Sequence, residues 1–303
     1  MAWADLTDCR AYYELIGEGE PLLLIPGLGA TCRLWDPIVP ELARHFTLIM
    51  LDNRGMGLSK AKRKPRTLSD YSSDYSELLD YLNVDQSHVL GLSLGGIAAQ
   101  RLAIDHPQKI KRLILMSCAD RFAPYLLRIT QLLGHSLRRF PRLLFLQTME
   151  LLATAPLYLD EHVDEIDQMM RDKCNDPVPK SAMATQLRCL LRSEVEPANY
   201  NIVNPTLVVA GEYDALIPAC YAKIMANKIP GSHFVLLKGA GHNPLSEMPE
   251  ISLPLVIKFL RDGEVEVPEM VETREQTSFH KNKPAGNSPV NELVTSPSKG
   301  SHI

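Results

Sequence analysis

The 303-residue sequence lacks paired cysteines, a basic leader and any long apolar run. Its six cysteines are scattered without a CxxC pair, so neither a zinc site nor a disulfide framework is predicted. The amino terminus has no basic start followed by an apolar stretch, and no run of about 18 uncharged apolar residues occurs. We therefore expect reduced, mostly buried thiols, no stable membrane insertion and a cytoplasmic protein.

A strong charge of either sign is also missing. The net charge is -4 and the isoelectric point is about 6.2, so no broad basic field favours nucleic acid as a partner. There is no HExxH motif and no cluster of Cys and His, and we therefore expect neither a metal nor another cofactor. Hydrophobic residues make up 45% of the chain, which is sufficient for a large buried core. A small molecule remains the expected partner, and the oligomeric state stays open.

Short apolar runs alternate with longer amphipathic segments along the chain. This alternation is typical of a mainly parallel sheet with helices on both faces, so we predict an α/β fold. The predicted strands cover residues 9–15, 21–25, 46–51, 88–92, 113–117, 206–210 and 233–237. Residues 68–82 and 94–106 have helical apolar spacing, and Pro107 ends the second of these helices.

Two regions depart from this alternation. Between residues 121 and 200 the strand pattern disappears, and helix-like segments replace it near residues 123–133, 143–155, 160–173 and 180–192. We interpret 121–200 as a helical cap inserted into a core made of 1–120 and 201–262. After residue 262 the sequence is dominated by Pro, Ser, Lys, Glu and Asn, so we predict that 263–303 is a disordered tail, with a docking segment as the alternative.

A GxSxG motif lies at the end of one predicted strand. Residues 91–95 read Gly-Leu-Ser-Leu-Gly and open the predicted helix 94–106, which is the setting that a nucleophile elbow requires. The string alone occurs by chance in about one chain in ten of this length. Its position between strand and helix favours Ser93 as a nucleophile, because close helix–sheet packing would explain the glycines but not the serine.

Two further polar residues follow predicted strands. Asp214 comes after strand 206–210, and His242 comes after strand 233–237. In open α/β sheets the carboxyl ends of the strands border the ligand crevice, so these side chains can converge on Ser93. A solvated loop residue is the alternative for each, and Glu212 is the second choice for the acid. The order Ser, Asp, His with each residue after a strand makes coincidence improbable.

This combination predicts a specific chemistry. A serine hydroxyl attacks a carbonyl well only when a base removes its proton, and imidazole titrates near neutral pH. We therefore assign His242 as the general base and Asp214 as the acid that orients it. The turn at residues 26–29 follows the strand 21–25, and we predict that the backbone amides of Leu28 and Leu94 form an oxyanion hole.

Together these motifs resemble the α/β-hydrolase superfamily from about residue 9 to residue 262. Residues 51–59 are similar to the family's D-x-R-G-x-G-x-S loop, in which Asp52 and Arg54 are expected to hold the loop together. Residues 34–37, 53–55 and 91–96 resemble the 3-oxoadipate enol-lactonase group and related small-molecule esterases. The resemblance implies an α/β-hydrolase fold and a carboxylic ester or lactone substrate. The histidine that usually precedes the oxyanion glycine is replaced by Pro26.

We therefore expect a serine hydrolase that cleaves a small-molecule ester or lactone through an acyl-enzyme. Carbon–carbon bond hydrolysis, perhydrolysis and proline iminopeptidase activity stay open, because specificity lies largely in the cap. A non-catalytic receptor or scaffold is the alternative from another class. Five arginines would favour an acidic substrate if they faced the cleft, with a solvated cap surface as the alternative: Arg121, Arg128, Arg138, Arg139 and Arg142.

Overall fold

The computed structural model describes residues 2–121, 123–175, 178–192 and 201–265, together with the backbone of residues 271–273. Its strands are β1 (Ala2–Asp5), β2 (Cys9–Ile16), β3 (Glu20–Ile25), β4 (Phe46–Leu51), β5 (Lys60–Ala61), β6 (Ser87–Leu92), β7 (Ile110–Met116), β8 (Thr206–Gly211), β9 (His233–Leu237) and β10 (Val271–Thr273). They form one sheet in the order β1-β2-β4-β3-β6-β7-β8-β9-β10, and β5 pairs with β2.

The centre of this sheet is parallel. The pairs from β4 through β3, β6, β7 and β8 to β9 are all parallel, whereas β1, β2, β5 and β10 pair antiparallel at the margins. Every residue of β6 and β8 is buried, as expected for strands covered on both faces. The chain order reverses between β3 and β6, which is the point where α/β sheets open a ligand crevice.

The helices cover both faces of the sheet. They are α1 (Val39–Leu42), α2 (Leu68–Tyr81), α3 (Leu94–Asp105), α4 (Pro124–Arg139), α5 (Arg142–Ala153), α6 (Pro156–Glu161), α7 (Val163–Asn175), α8 (Lys180–Leu191), α9 (Ala219–Ala226), α10 (Pro244–Glu247) and α11 (Pro249–Asp262). One buried cluster joins the sheet to α2, α3 and α9, and a second joins its other face to α1 and α11. The two clusters form the core that fixes the strand ends.

Helices α4 to α8 lie between β7 and β8 in the chain. A third cluster packs Leu133, Phe145, Met183 and Leu187 from these helices against residues of the sheet domain such as Leu216. This apolar contact seats the inserted helices over the carboxyl ends of the strands. Among the described residues, no helix has both the length and the apolarity needed to cross a membrane.

The predicted α/β organisation with inserted helices is confirmed. All seven predicted strands and both predicted sheet-domain helices are present, with shifted ends. The segment 160–173 is divided between α6 and α7, because the chain leaves helical geometry at His162. Most of the predicted tail 263–303 lies outside the described residues, and the described backbone at Val271–Thr273 pairs with β9.

Candidate active site

Ser93 lies at a sharp turn between β6 and α3. Its φ of 59° and ψ of -121° are strained for a residue with a side chain. The turn requires close backbone packing: a β-carbon on Gly95 would lie 2.1 Å from the oxygen of Ile25, and one on Gly91 would lie 2.4 Å from the oxygen of Gly95. The sequence therefore places a partly exposed serine hydroxyl at the end of a buried strand.

His242 and Asp214 follow the neighbouring strands β9 and β8. The pairing of Gly211 with Leu237 starts both loops side by side, and His242 Nδ1 lies 2.7 Å from Asp214 Oδ2. Burial acts to lower the pKa of His242, but the Asp214 carboxylate acts in the opposite direction, and the resulting pKa is raised. Glu247 and Glu150 add smaller effects in the direction of Asp214.

The turn at residues 26–29, here called the oxyanion loop, lies beside Ser93. A β-carbon on Gly27 would be 3.3 Å from Cβ of Ser93. Neither the Leu28 amide nor the Leu94 amide donates a hydrogen bond to another described residue. Leu94 is the first residue of α3, where backbone N–H groups have no partner within the helix. Two backbone donors without an acceptor among the described residues thus lie next to Ser93, one on Leu94 and one in the oxyanion loop.

A cavity of about 570 Å³ opens over these residues. Its wall includes Ser93, His242, Leu28 and Leu94 together with apolar side chains from α4, α5, α7 and α8. Ser93 and His242 share this wall, although the described side chains form no direct hydrogen bond between them. Such contacts often tighten only when substrate is bound. The sequence-predicted residues are therefore all brought to one cavity, with Asp214 behind His242.

Other carboxylates near the strand ends are already engaged. Glu212 is exposed and accepts a hydrogen bond from the Gly239 amide at 3.0 Å. Asp120 follows β7, is buried, and forms an ion pair with the partly exposed Lys228 at 2.8 Å. Asp214 instead contacts the imidazole of His242, which favours it over both alternatives as the orienting acid.

The five arginines of the inserted segment divide into two groups. Arg121 and Arg142 line the cavity, and Arg142 Nη1 donates to the carbonyl of Val178 at 2.9 Å. Arg128, Arg138 and Arg139 are exposed and are absent from the cavity wall. Glu150, Glu165 and Glu247 also line the cavity, so its charges are mixed and indicate no general preference for an acidic substrate.

The loop at residues 51–59 supports the oxyanion loop. Asp52 accepts hydrogen bonds from the amides of Cys32 and Leu58, both at 2.8 Å. Arg54 forms a bidentate pair with Asp74, with separations of 2.7 and 2.6 Å. Asn53 donates to the Pro26 carbonyl at 3.3 Å. These contacts hold the loop in place and leave Asp52 and Arg54 outside the cavity wall.

Two polar residues near the site were not singled out from the sequence. Gln186 on α8 is fully buried, and its Oε1 accepts the Gly29 amide at 2.9 Å. Glu247, at the end of α10, accepts three backbone N–H groups. The contacts of Gln186 with Gly29 and of Glu247 with Ala155 join residues 157 and 92 positions apart, so no local sequence pattern indicates them.

Comparisons with known proteins identify the fold and the family of the chain. The family described as alpha/beta hydrolase fold matches residues 20–249. The chain is 28% identical over 260 residues to the pimeloyl-acyl-carrier-protein methyl ester esterase of Aeromonas salmonicida, covering 82% of this chain and 98% of that protein. A solved hydrolase from Pseudomonas aeruginosa PA01 is 29% identical, with a TM-score of 0.76 and coverage of 86% of this chain and 98% of that one.

The enol-lactonase from Burkholderia xenovorans LB400 has the same fold. It is 24% identical, with a TM-score of 0.78 and coverage of 86% of this chain and 99% of that one. Within the described part of the chain, no three His, Cys, Asp or Glu side chains are grouped so as to hold a metal ion. The family match spans well over half of the sequence. The chain belongs to the α/β-hydrolase fold family of enzymes.

Proposed function

We propose that this protein hydrolyses a small, largely apolar carboxylic ester or lactone through an acyl-enzyme on Ser93. One observation carries the proposal: the hydrogen-bonded pair of His242 and Asp214 faces the same cavity as a serine on a strained elbow. The arrangement has the roles required for acyl transfer, namely nucleophile, base and orienting acid.

In the proposed mechanism, Ser93 Oγ attacks the carbonyl carbon while Nε2 of His242 accepts the hydroxyl proton. The tetrahedral intermediate collapses, the bond to the leaving oxygen breaks, and His242 returns the proton to that oxygen. A water molecule then attacks the acyl-enzyme by the same steps and releases the acid. Asp214 keeps Nδ1 protonated, so that Nε2 is free to act as the base.

The carbonyl oxygen becomes negatively charged in the tetrahedral intermediate. We assign its stabilisation to the amides of Leu28 and Leu94, which have no other acceptor among the described residues. Each such donor contributes about 3 kcal/mol to the stabilisation of the transition state in comparable enzymes. Because both donors are backbone groups on packed elements, little reorganisation accompanies the reaction.

The cavity wall supports an apolar substrate. Leu126, Ile129, Leu133, Phe145 and Met183 line it above the nucleophile. A relative named as a methyl ester esterase, and a structural neighbour named as an enol-lactonase, are both carboxylic ester hydrolases in the broad sense. We therefore expect an acyl chain or an alkyl alcohol to occupy this apolar wall, where each buried methylene contributes about 0.8 kcal/mol.

We further propose that residues 121–200 function as a cap that shapes the substrate cavity, over a core of residues 1–120 and 201–262. The inserted helices supply about half of the apolar residues in this wall.

We also propose a cytoplasmic location. All six cysteines are free thiols in the structure, and burial raises the pKa of Cys9 to about 12.

The direct test combines hydrolysis with covalent labelling. Wild-type protein is expected to hydrolyse p-nitrophenyl esters and to react with a fluorophosphonate probe at Ser93. Ser93→Ala should abolish both signals, whereas Ser136→Ala on α4 should retain them because Ser136 is not part of the cavity wall. Turnover that survives Ser93→Ala, or labelling at another residue, would exclude this mechanism.

A further inference from the structure

Residues 152–155, here called the cap corner, join α5 to α6 and contact both loops that carry the acid and the base. The Ala215 amide, next to Asp214, donates to the Leu152 carbonyl at 3.1 Å. The His242 amide donates to the Ala153 carbonyl at 2.6 Å. The cap corner is thus bonded to the backbone on either side of the His242–Asp214 pair.

Glu247 also links the cap corner to the His242 loop, here through a side-chain carboxylate that accepts backbone N–H groups. Its Oε2 accepts the amide of Ala155 at 3.0 Å and the amide of Gly241 at 2.8 Å, and its Oε1 accepts the amide of Asn243 at 3.1 Å. One carboxylate therefore joins the cap corner to the residues immediately before and after His242. An ionised carboxylate can only accept hydrogen bonds, so it matches three converging N–H groups.

The contact is tight at Gly241. A β-carbon at this position would lie 2.3 Å from the Ala153 oxygen, 2.6 Å from the Ala155 nitrogen and 2.8 Å from Oε2 of Glu247. A small displacement of the cap corner would therefore displace the backbone next to the base. Tyr158 on α6 adds another link, because its hydroxyl donates to the Ser246 carbonyl at 3.3 Å.

We propose that Glu247 is a positioning residue that couples the seating of the cap to the alignment and charge of His242. The inference rests on the proposed function, since His242 acts there as the base. Glu247 touches no reacting atom in this scheme: it fixes the loop through three amides and presents negative charge to the imidazole.

The charges around His242 support this role. Burial raises the pKa of Glu247, while its three amide donors and His242 act to lower it. Asp214 and Glu150 also act on the pKa of His242, and burial, Glu247, Glu165 and Glu150 act to raise the pKa of Tyr158. Removing the charge of Glu247 leaves Asp214 in place but reduces the negative field that favours imidazolium.

The test compares Glu247→Gln, Glu247→Asp and Glu250→Gln. Gln has the shape of Glu but leaves at least one of the three N–H groups facing an amide nitrogen, whereas Asp keeps the charge and loses one methylene of reach. We expect kcat of Glu247→Gln to fall about tenfold to a hundredfold with a smaller change in KM. The acidic limb of its kcat/KM profile should move to lower pH by about half a unit or more.

Glu247→Asp separates the effect of positioning from the effect of charge, because it keeps the carboxylate but shortens its reach. It also tests the positioning role if Glu247→Gln does not fold. It should lower kcat while leaving the acidic limb near its wild-type position. Glu250 is exposed in the first turn of α11, and Glu250→Gln should match the wild type in kcat and in the pH profile. Wild-type kcat and an unmoved acidic limb in Glu247→Gln would overturn the proposal, as would an equal pH shift in both Glu247 variants.

Hydrogen exchange separates a failure of this inference from a failure of the proposed function. The amides of Ala155, Gly241 and Asn243 should exchange faster in Glu247→Gln than in wild type, and this measurement needs no substrate. Faster exchange in Glu247→Gln, together with a wild-type protein that neither hydrolyses esters nor reacts with fluorophosphonate, would refute the proposed chemistry but not the structural role of Glu247. Unchanged exchange in an active enzyme would refute the role of Glu247 alone.

Discussion

The Nδ1 atom of His242 lies 2.7 Å from Oδ2 of Asp214, and the two side chains are only 10% and 0% exposed. In this geometry the proton on Nδ1 is held by the carboxylate, so Nε2 is left as the acceptor that faces the cavity. The Ile217 amide binds the remaining oxygen of Asp214 at 2.8 Å, which fixes the rotation of the carboxylate. Tautomer and ring orientation are therefore set together.

Replacing this carboxylate should damage catalysis more than folding. Asp214→Asn preserves size but presents either the wrong atom or a weaker acceptor to Nδ1, and kcat is expected to fall about 10³- to 10⁴-fold. Glu212→Gln is the matched control at the same strand end, because Glu212 is exposed and binds only the Gly239 amide in the described structure. Ester turnover by both variants checks the prediction. A comparable loss in the Glu212 variant would argue against the assignment of the acid.

The raised pKa of His242 gives activity and stability opposite pH trends. In the proposed mechanism the neutral imidazole is the base, so kcat/KM should fall as pH decreases through a pKa above the usual value of 6.5. Since folding favours the protonated form, the stabilisation from the pair is complete below pH 6.5 and is lost as pH rises through the raised pKa.

Two measurements check these trends. Profiles of kcat/KM between about pH 5 and about pH 9 locate the acidic limb, which should move to lower pH in Asp214→Asn. Melting temperatures of wild type and His242→Gln should differ most at low pH, with the difference shrinking as pH rises. A difference that grows with pH would contradict the direction of the shift.

Gln186 should act on the opposite side of the active site. Its Oε1 holds the Gly29 amide, next to the proposed oxyanion donor on Leu28, while its buried Nε2 has no hydrogen-bond partner in the described part of the chain. Gln186→Leu should lower kcat about tenfold, because the oxyanion loop loses this anchor. The free energy of unfolding should change less, since removing an unpaired buried donor offsets the loss of the acceptor.

The control for Gln186 is Gln147→Leu. Gln147 is exposed on α5, so the same chemical change there should leave kcat unaltered and shift the unfolding free energy by no more than about 0.5 kcal/mol. Steady-state kinetics and urea unfolding of both variants measure the changes in kcat and in unfolding free energy. Full activity in Gln186→Leu would show that the loop needs no support from α8.

The central strands could be predicted because they are buried on both faces. After Thr206, for example, β8 consists only of small and branched apolar residues, without the polar positions of an amphipathic helix or of a half-exposed strand. β1 could not be recognised, since its large apolar residue Trp3 is exposed whereas the small Ala4 is buried, so the residue types do not show which face of the strand is covered. The two-residue β5 and the three-residue β10 are too short to have a sequence pattern.

The same distinction applies to the candidate active site. The positions of Ser93, Asp214 and His242 could be predicted because each follows an apolar strand whose carboxyl end borders the crevice. Gln186 and Glu247 act through backbone groups 157 and up to 92 positions away in the chain. No local spacing reports such contacts, because they depend on where the inserted helices settle on the sheet.

Gly95 on α3 and Gly134 on α4 are two helix glycines whose replacement by Ala should have opposite effects on stability. Gly95→Ala would place a methyl group 2.1 Å from the Ile25 oxygen and 2.8 Å from the Pro26 oxygen, so α3 or the oxyanion loop must move. We expect a loss of about 2 kcal/mol or more in unfolding free energy and a loss of fluorophosphonate labelling. Gly134 on α4 has open space around its β-position, and Gly134→Ala should stabilise the protein by about 0.5–1 kcal/mol with labelling unchanged. Urea unfolding and labelling of both variants provide the check, and equal stability of the two would contradict the packing seen at the elbow.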